Sequence, residues 1–155
     1  MKEIIYLETS VISAYFDFKR QDAERKEITI HFWKEIIPCY DLVISDLVVA
    51  ELNKITDLQN REKLLSKVRG MKRLGISSKI ENLSQEYINF KIIPGSKLED
   101  AIHLAIATVN NIDYLVSWNY RHLVGAVQRK KIIEFNEKFG LSIPSISTPN
   151  DFLEI

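Results

Sequence analysis

Short apolar runs alternate along this chain with longer segments in which apolar residues recur at three- and four-residue spacing. The runs Ile4 to Leu7, Leu42 to Ser45 and Tyr114 to Ser117, with a last one around Ile143 to Ser147, predict buried strands. Ile28, Phe32 and Ile36 form a helical stripe that Pro38 stops. Leu64, Val68 and Met71 form a second stripe, ending near Gly75. A third helix starts at Ser77 or Ser78 and carries Ile80, Leu83 and Tyr87. Leu98 to Val109 is apolar almost all round, so it belongs in the interior, with Ala101 and Ala105 allowing close approach to a sheet. A further helix is predicted from about Gly125 to Phe139. Strands alternating with helices predict an α/β fold with a parallel sheet covered on both faces. With no linker, repeat or low-complexity segment, residues 1–155 are expected to form a single domain.

Composition narrows the options only slightly. Apolar residues make up 46% and charged residues 27%, as in ordinary globular proteins. Lysine plus arginine equals aspartate plus glutamate at 21 each, so no basic excess marks the chain as a duplex-DNA binder. Any nucleic-acid contact must come from local patches. One cysteine, Cys39, excludes an intramolecular disulfide and a cysteine-based zinc site. No basic flank and long apolar core open the chain, and no apolar stretch reaches the roughly 20 residues that span a bilayer. A cytoplasmic location is expected.

The candidate chemistry lies in three carboxylates on hydrophobic elements. Glu8 ends the first apolar run, Glu51 lies inside Leu47-Val48-Val49-Ala50-Glu51-Leu52, and Asp100 opens Ala101-Ile102-His103-Leu104-Ala105-Ile106-Ala107. Acidic groups are rarely buried unless paired or bound to a cation. In open parallel sheets, ligands bind at the carboxyl ends of the strands. Glu8 ends the first strand, and Glu51 is in the second turn of the helix after the second. Asp100 starts the helix that feeds the strand at 114–117, and Asn119 follows that strand. All four are expected on one rim.

The neighbouring residues divide between this site and ordinary structure. Glu51 could instead pair with a buried arginine, although none is obviously placed for it. Ser96-Lys97-Leu98-Glu99 matches a capping box, which assigns Glu99 to a helix start and leaves Asp100 as the ligand. His103 reads as a hydrogen-bonded core histidine, because hard cations prefer oxygen. Thr9 and Ser10 are expected to cap the first helix, or to hold a water beside Glu8. Arg121 and His122 follow Asn119 on the same rim, where they suit a phosphate contact. Lys67, Arg69, Lys72 and Arg73, or Arg121, Arg129, Lys130 and Lys131, are the two runs available to an RNA backbone.

The segments Tyr6-Leu7-Glu8-Thr9-Ser10-Val11-Ile12, Ile44-Ser45-Asp46-Leu47-Val48-Val49-Ala50-Glu51-Leu52, Asp100-Ala101-Ile102-His103-Leu104-Ala105-Ile106-Ala107 and Tyr114-Leu115-Val116-Ser117-Trp118-Asn119 together resemble the PIN-domain ribonucleases. The resemblance is strongest to the VapC-type toxins of toxin–antitoxin pairs. It implies a Rossmann-like three-layer α/β/α sandwich whose acidic cluster binds Mg²⁺ or Mn²⁺ and hydrolyses single-stranded RNA. It also implies a homodimer and a small antitoxin partner.

Carried over by position, Glu8, Glu51, Asp100 and Asn119 are the catalytic set. Glu8, Asp100 and Glu51 are its metal ligands, and Ser10, Arg121 and His122 are the substrate contacts. Glu51 would orient or deprotonate the attacking water, and Asn119 would position a water or the phosphate. Two positions depart from the pattern. Glu8 stands where aspartate is usual, moving the carboxylate outward by roughly 1.5 Å. Asn119 stands where aspartate is frequent, so the site holds three formal charges and grips a second ion less tightly. These departures leave a second expectation, a non-catalytic PIN scaffold that binds RNA or a protein. A small-molecule phosphatase fits poorly, since no aspartate nucleophile follows the first strand and no glycine-rich loop is present.

Overall fold

The computed structural model describes residues 1–153. Its strands are β1 (Ile4–Leu7), β2 (Asp41–Ser45), β3 (Lys72–Leu74), β4 (Tyr114–Val116) and β5 (Ser145–Ser147). They form one sheet, parallel throughout, in the order β3-β2-β1-β4-β5. The helices are α1 (Thr9–Phe16), α2 (Ala23–His31), α3 (Asp46–Asn53), α4 (Leu58–Val68), α5 (Ser78–Asn89), α6 (Leu98–Val109) and α7 (Ala126–Lys138). Central β1 is flanked on both sides, with Ile5 opposite Leu42 on β2 and Tyr114 on β4. It is therefore apolar without alternation, and Ile5, Tyr6 and Leu7 are fully buried.

Right-handed crossovers place α1 to α4 on one face, because they connect β1, β2 and β3. They place α5, α6 and α7 on the other, because those connections run through β4 to β5. The packing agrees: α1 contacts α2, α3 and α4, while α5 contacts α6. The result is the expected three-layer α/β/α sandwich.

Three local expectations are corrected. The stripe through Leu64, Val68 and Met71 does not continue as helix, since α4 ends at Val68. Gly70 turns the chain at φ 90°, a conformation that costs glycine little, and edge strand β3 follows. That strand is the short polar Lys72-Arg73-Leu74, which carries no apolar run to reveal it. The stripe before Pro38 is also divided. Regular helix ends at His31, a wider π-type turn covers Phe32–Ile36, and a tight 3₁₀ turn ends at Cys39. The last strand is shorter than expected, starting at Ser145 after Pro144.

A buried polar cluster ties α5, α6 and α7 together. The Tyr87 hydroxyl donates to Asn136 Oδ1 at 2.8 Å and lies 2.9 Å from Thr108 Oγ1. The Asn136 amide donates to Thr108 Oγ1 and to the Ser142 carbonyl. Burial pushes the Tyr87 phenol up to about 12, so it stays a neutral donor. Tyr87→Phe leaves Asn136 Oδ1 without that donor in the core. The expected cost is about 1–3 kcal/mol, read as a lower urea midpoint at unchanged slope. This cluster matters to the site because α6 carries both Asp100 and His103.

Candidate acidic site

The sheet order reverses direction between β1 and β4, and ligand crevices form at such a switch point. Glu8 follows β1 and Ser117 to Asn119 follow β4. Glu51 comes from α3 after β2, and Asp100 and His103 come from α6, which leads into β4. Four connections thus deliver their side chains to one edge.

Glu8 occupies the N-cap position of α1, with extended backbone (φ −79°, ψ 154°), yet its side chain makes no capping bond. A shorter acidic residue there favours the helix amides. The longer glutamate reaches past them, and only 6% of it is exposed. Its Oε1 accepts from the Ser10 hydroxyl and from Ser117 Oγ at 2.6 Å. Both hydroxyls are fixed in turn. Ser10 Oγ accepts from the Trp118 amide at 2.8 Å, and Ser117 Oγ accepts from the Asn119 amide at 2.9 Å. The first helix therefore does not use Thr9 and Ser10 as caps, contrary to the sequence expectation. Their hydroxyls serve the acidic residues.

Thr9 Oγ1 donates to Glu51 Oε1 at 2.6 Å. The same oxygen lies 2.6 Å from Nε2 of His103, a fully enclosed ring. Nδ1 of His103 lies 2.7 Å from the Tyr6 hydroxyl, which is 2.7 Å from Ser45 Oγ. Ser45 also caps α3 by accepting from the Val48 amide. With a protonated ring, the bonds run outward from His103: Nε2 donates to Glu51, Nδ1 donates to the Tyr6 oxygen, and the Tyr6 hydroxyl donates to Ser45 Oγ.

Burial works against the imidazolium, but the Glu51 hydrogen bond and the charges of Glu8, Glu51 and Asp100 outweigh it and raise the His103 pKa. Burial alone would raise the Glu51 carboxyl. The His103 hydrogen bond and charge, with Thr9, hold it below the usual range instead. The buried partner of Glu51 is thus a histidine, not an arginine. His103 is the hydrogen-bonded core residue that the sequence suggested, yet it touches the site directly.

Asp100 stands in the first turn of α6, half-buried, and burial pushes its carboxyl up. The nearby charge of Glu8 adds to this, while the polar side chain of Asn119 partly offsets it. The Asn119 side chain also has a local role, because its Oδ1 accepts from the His122 amide at 3.1 Å and caps the turn Tyr120–Val124. That turn closes at Gly125, where a Cβ would meet the Tyr120 carbonyl at 2.5 Å. Beyond Asp100 lies a polar cleft of about 650 Å³, walled by Lys97, Glu99, Asn119, Arg121 and His122. Nε2 of His122 is buried without a partner among the described residues.

Glu99 is a further correction. The α6 N-cap is Lys97 without a side-chain cap, and Glu99 instead pairs with Lys54 at 3.3 Å. The first basic run is largely engaged. Arg69 pairs with Glu62, Arg73 with Asp46, and Lys67 lies 3.9 Å from the Tyr15 ring centre. In the second run, Arg121 opens onto the cleft beside Asp100.

The donor set suits a hard divalent cation. Ligand-capable atoms of Glu8, Glu51 and His103 all lie within 4.8 Å of one another. Both His103 nitrogens already have partners, so oxygen is what the site offers. In each glutamate the hydroxyl and ring contacts fall on Oε1, which leaves Oε2 available as a ligand. Asp100 lies outside this tightest group but within electrostatic reach of Glu8 and His103.

The fold has counterparts among solved structures. The chain is similar to VapBC-1 from nontypeable Haemophilus influenzae, at 15% identity over 95% of this chain and 98% of that one, with a TM-score of 0.61. It is similar to the Mycobacterium tuberculosis sarcin–ricin-loop-cleaving toxin VapC20, at 15% identity over 76% and 92%, TM-score 0.56. A toxin–antitoxin complex from Klebsiella pneumoniae matches at 17% identity over 81% and 93%, TM-score 0.53. No curated protein matches the sequence. The PIN domain sequence profile matches residues 5–123, a span that contains Glu8, Glu51, Asp100 and Asn119. On that match, and with the acidic edge at the switch point of the sheet, the chain belongs to the PIN domain family.

Proposed function

We propose that this single domain is a Mg²⁺- or Mn²⁺-dependent endoribonuclease that hydrolyses phosphodiester bonds of single-stranded RNA. The observation that carries this reading is the convergence of Glu8, Glu51 and Asp100 on one edge, with the Oε1 atoms of both glutamates pinned by protein donors. Such preorganisation holds charge in place at no further cost when a cation arrives.

Glu8 and Asp100 are the principal ligands, with Glu51 beside them. A divalent cation, when bound, supplies positive charge to the phosphoryl oxygens and acidifies the attacking water. Glu51 orients that water or accepts its proton, and His103 and Thr9 set its position. Asn119 acts on Asp100, because its carbonyl oxygen is committed to the backbone of His122 and its side chain favours the charged form of the aspartate. Ser10 beside Glu8, and Arg121 and His122 on the cleft wall, receive the phosphate. The likeness to VapBC and toxin–antitoxin structures supports a biological role as the toxin of such a pair. A small antitoxin and a second copy of the chain would be its protein partners.

The test combines a Mn²⁺ melting titration with an RNA cleavage assay. Wild type is expected to cleave RNA and to gain about 2.7 kcal/mol when free Mn²⁺ exceeds its Kd a hundredfold. Asp100→Asn is expected to lose cleavage and most of the thermal gain. Equal cleavage by both proteins removes the assignment. A wild type with neither thermal gain nor cleavage is a binding scaffold.

A further inference from the structure

A groove of about 540 Å³ opens beside the acidic centre, between the α1–α2 loop and the α3–α4 loop. Two residues join it to that centre. Ser10 lines the groove while donating to Glu8, and Trp118 lines it while donating its backbone amide to Ser10. The Trp118 ring is fixed as a floor, since its indole nitrogen donates to Thr29 Oγ1 at 2.9 Å and the residue is 6% exposed.

Above that floor sits the Arg25 guanidinium, 4.9 Å from the Trp118 ring centre. The same guanidinium is 5.8 Å from the ring of Tyr120, which is 51% exposed and stands beside the groove rather than in its wall. Arg25 is itself positioned by Asp22 at 3.6 Å and keeps 38% of its side chain exposed. The structure thus presents three flat π groups together, one buried and two reachable. Gln21, Thr56 and Asn60 also line the groove and offer both donors and acceptors, beside Lys19, the acids Asp17, Asp22 and Asp57, and apolar residues of both loops.

We propose that this groove is a nucleobase subsite. It takes a base of single-stranded RNA next to the cleaved bond, stacks it on Arg25 and Tyr120, and reads its edge with Gln21 and Asn60. The assignment rests on the ribonuclease reading. Charge balance favours a base over a run of phosphates as the main source of affinity. The groove lining sets Lys19 and Arg25 against Asp17, Asp22 and Asp57, so few phosphates can be neutralised there, and stacking supplies the affinity.

The test uses a short oligoribonucleotide carrying one 2-aminopurine, titrated into protein bearing Asp100→Asn to prevent turnover. Binding is expected to quench the 2-aminopurine. Adding Tyr120→Ala or Arg25→Ala is expected to weaken affinity by about 10-fold or more, with loss of quenching, while Tyr120→Phe retains both. Both positions are at the surface, and circular dichroism checks that each variant is folded. Unchanged affinity and quenching in both alanine variants overturn the subsite. Variants that bind RNA normally but lose a bound antitoxin assign the groove to protein and also overturn it. A wild type that neither binds nor cleaves RNA overturns the ribonuclease reading, and the subsite with it.

Discussion

Glu8→Gln is expected to lower Mn²⁺-dependent RNA cleavage by about 10²–10³-fold, the range for losing one preorganised charge-stabilising group. It should do so without unfolding the protein. Ser10 and Ser117 still find an acceptor in the amide oxygen, so the network around position 8 survives. The charge of Glu8 meanwhile raises the proton affinity of Tyr6, Asp100 and His103, showing how strongly its field is felt in the absence of a cation. Neutralising it relieves repulsion within the acidic cluster. The metal-free variant should therefore melt at or above the wild-type temperature, while Mn²⁺ adds little further. A variant that melts lower but cleaves normally would make Glu8 a structural residue.

His103→Leu is expected to be the most destabilising single change in the site. It conserves approximate volume but strips Glu51 and the Tyr6 hydroxyl of their shared partner. Breaking a buried pair by removing one member costs about 3–5 kcal/mol, and each kcal/mol lowers the Tm by about 2–4 °C in a chain of this size. Activity should also fall at temperatures where the variant remains folded, because Glu51 loses its orientation. Loss of a partner that orients a ligand weakens metal affinity by about 10–100-fold. Tyr6→Phe is the control, since it removes only the outer hydroxyl and leaves the His103–Glu51 contact in place. A His103→Leu variant as stable as wild type would show that the ring carries no structural charge pair. The double variant His103→Leu/Glu51→Leu should recover part of the stability but none of the activity.

Much of the site was legible because it lies on strongly patterned elements. Glu8, Glu51 and Asp100 stand out as charges inside apolar runs, and that anomaly needs no knowledge of the fold. The three connections they occupy could be assigned to one edge, because the strands of a parallel sheet all end on the same side. Interior helix α6 was equally plain, being apolar on nearly every face. Edge strand β3 was hidden because two of its three residues are charged and exposed, leaving Leu74 as its lone apolar position. Glu99 misled because a capping box is a local pattern, and the chain preferred the distant Lys54.

The sequence by itself determined the three-layer architecture and the sheet edge at which Glu8, Glu51 and Asp100 fall, since hydrophobic period and strand direction follow from short-range pattern. Tertiary structure alone decided how each acid is held. Thr9 and His103 meet at Glu51 from sites 42 and 52 residues away, and Ser117 reaches Glu8 across 109. No periodicity encodes such contacts. They arise because desolvated carboxylates must find donors, and only the packed chain determines which donors are within reach.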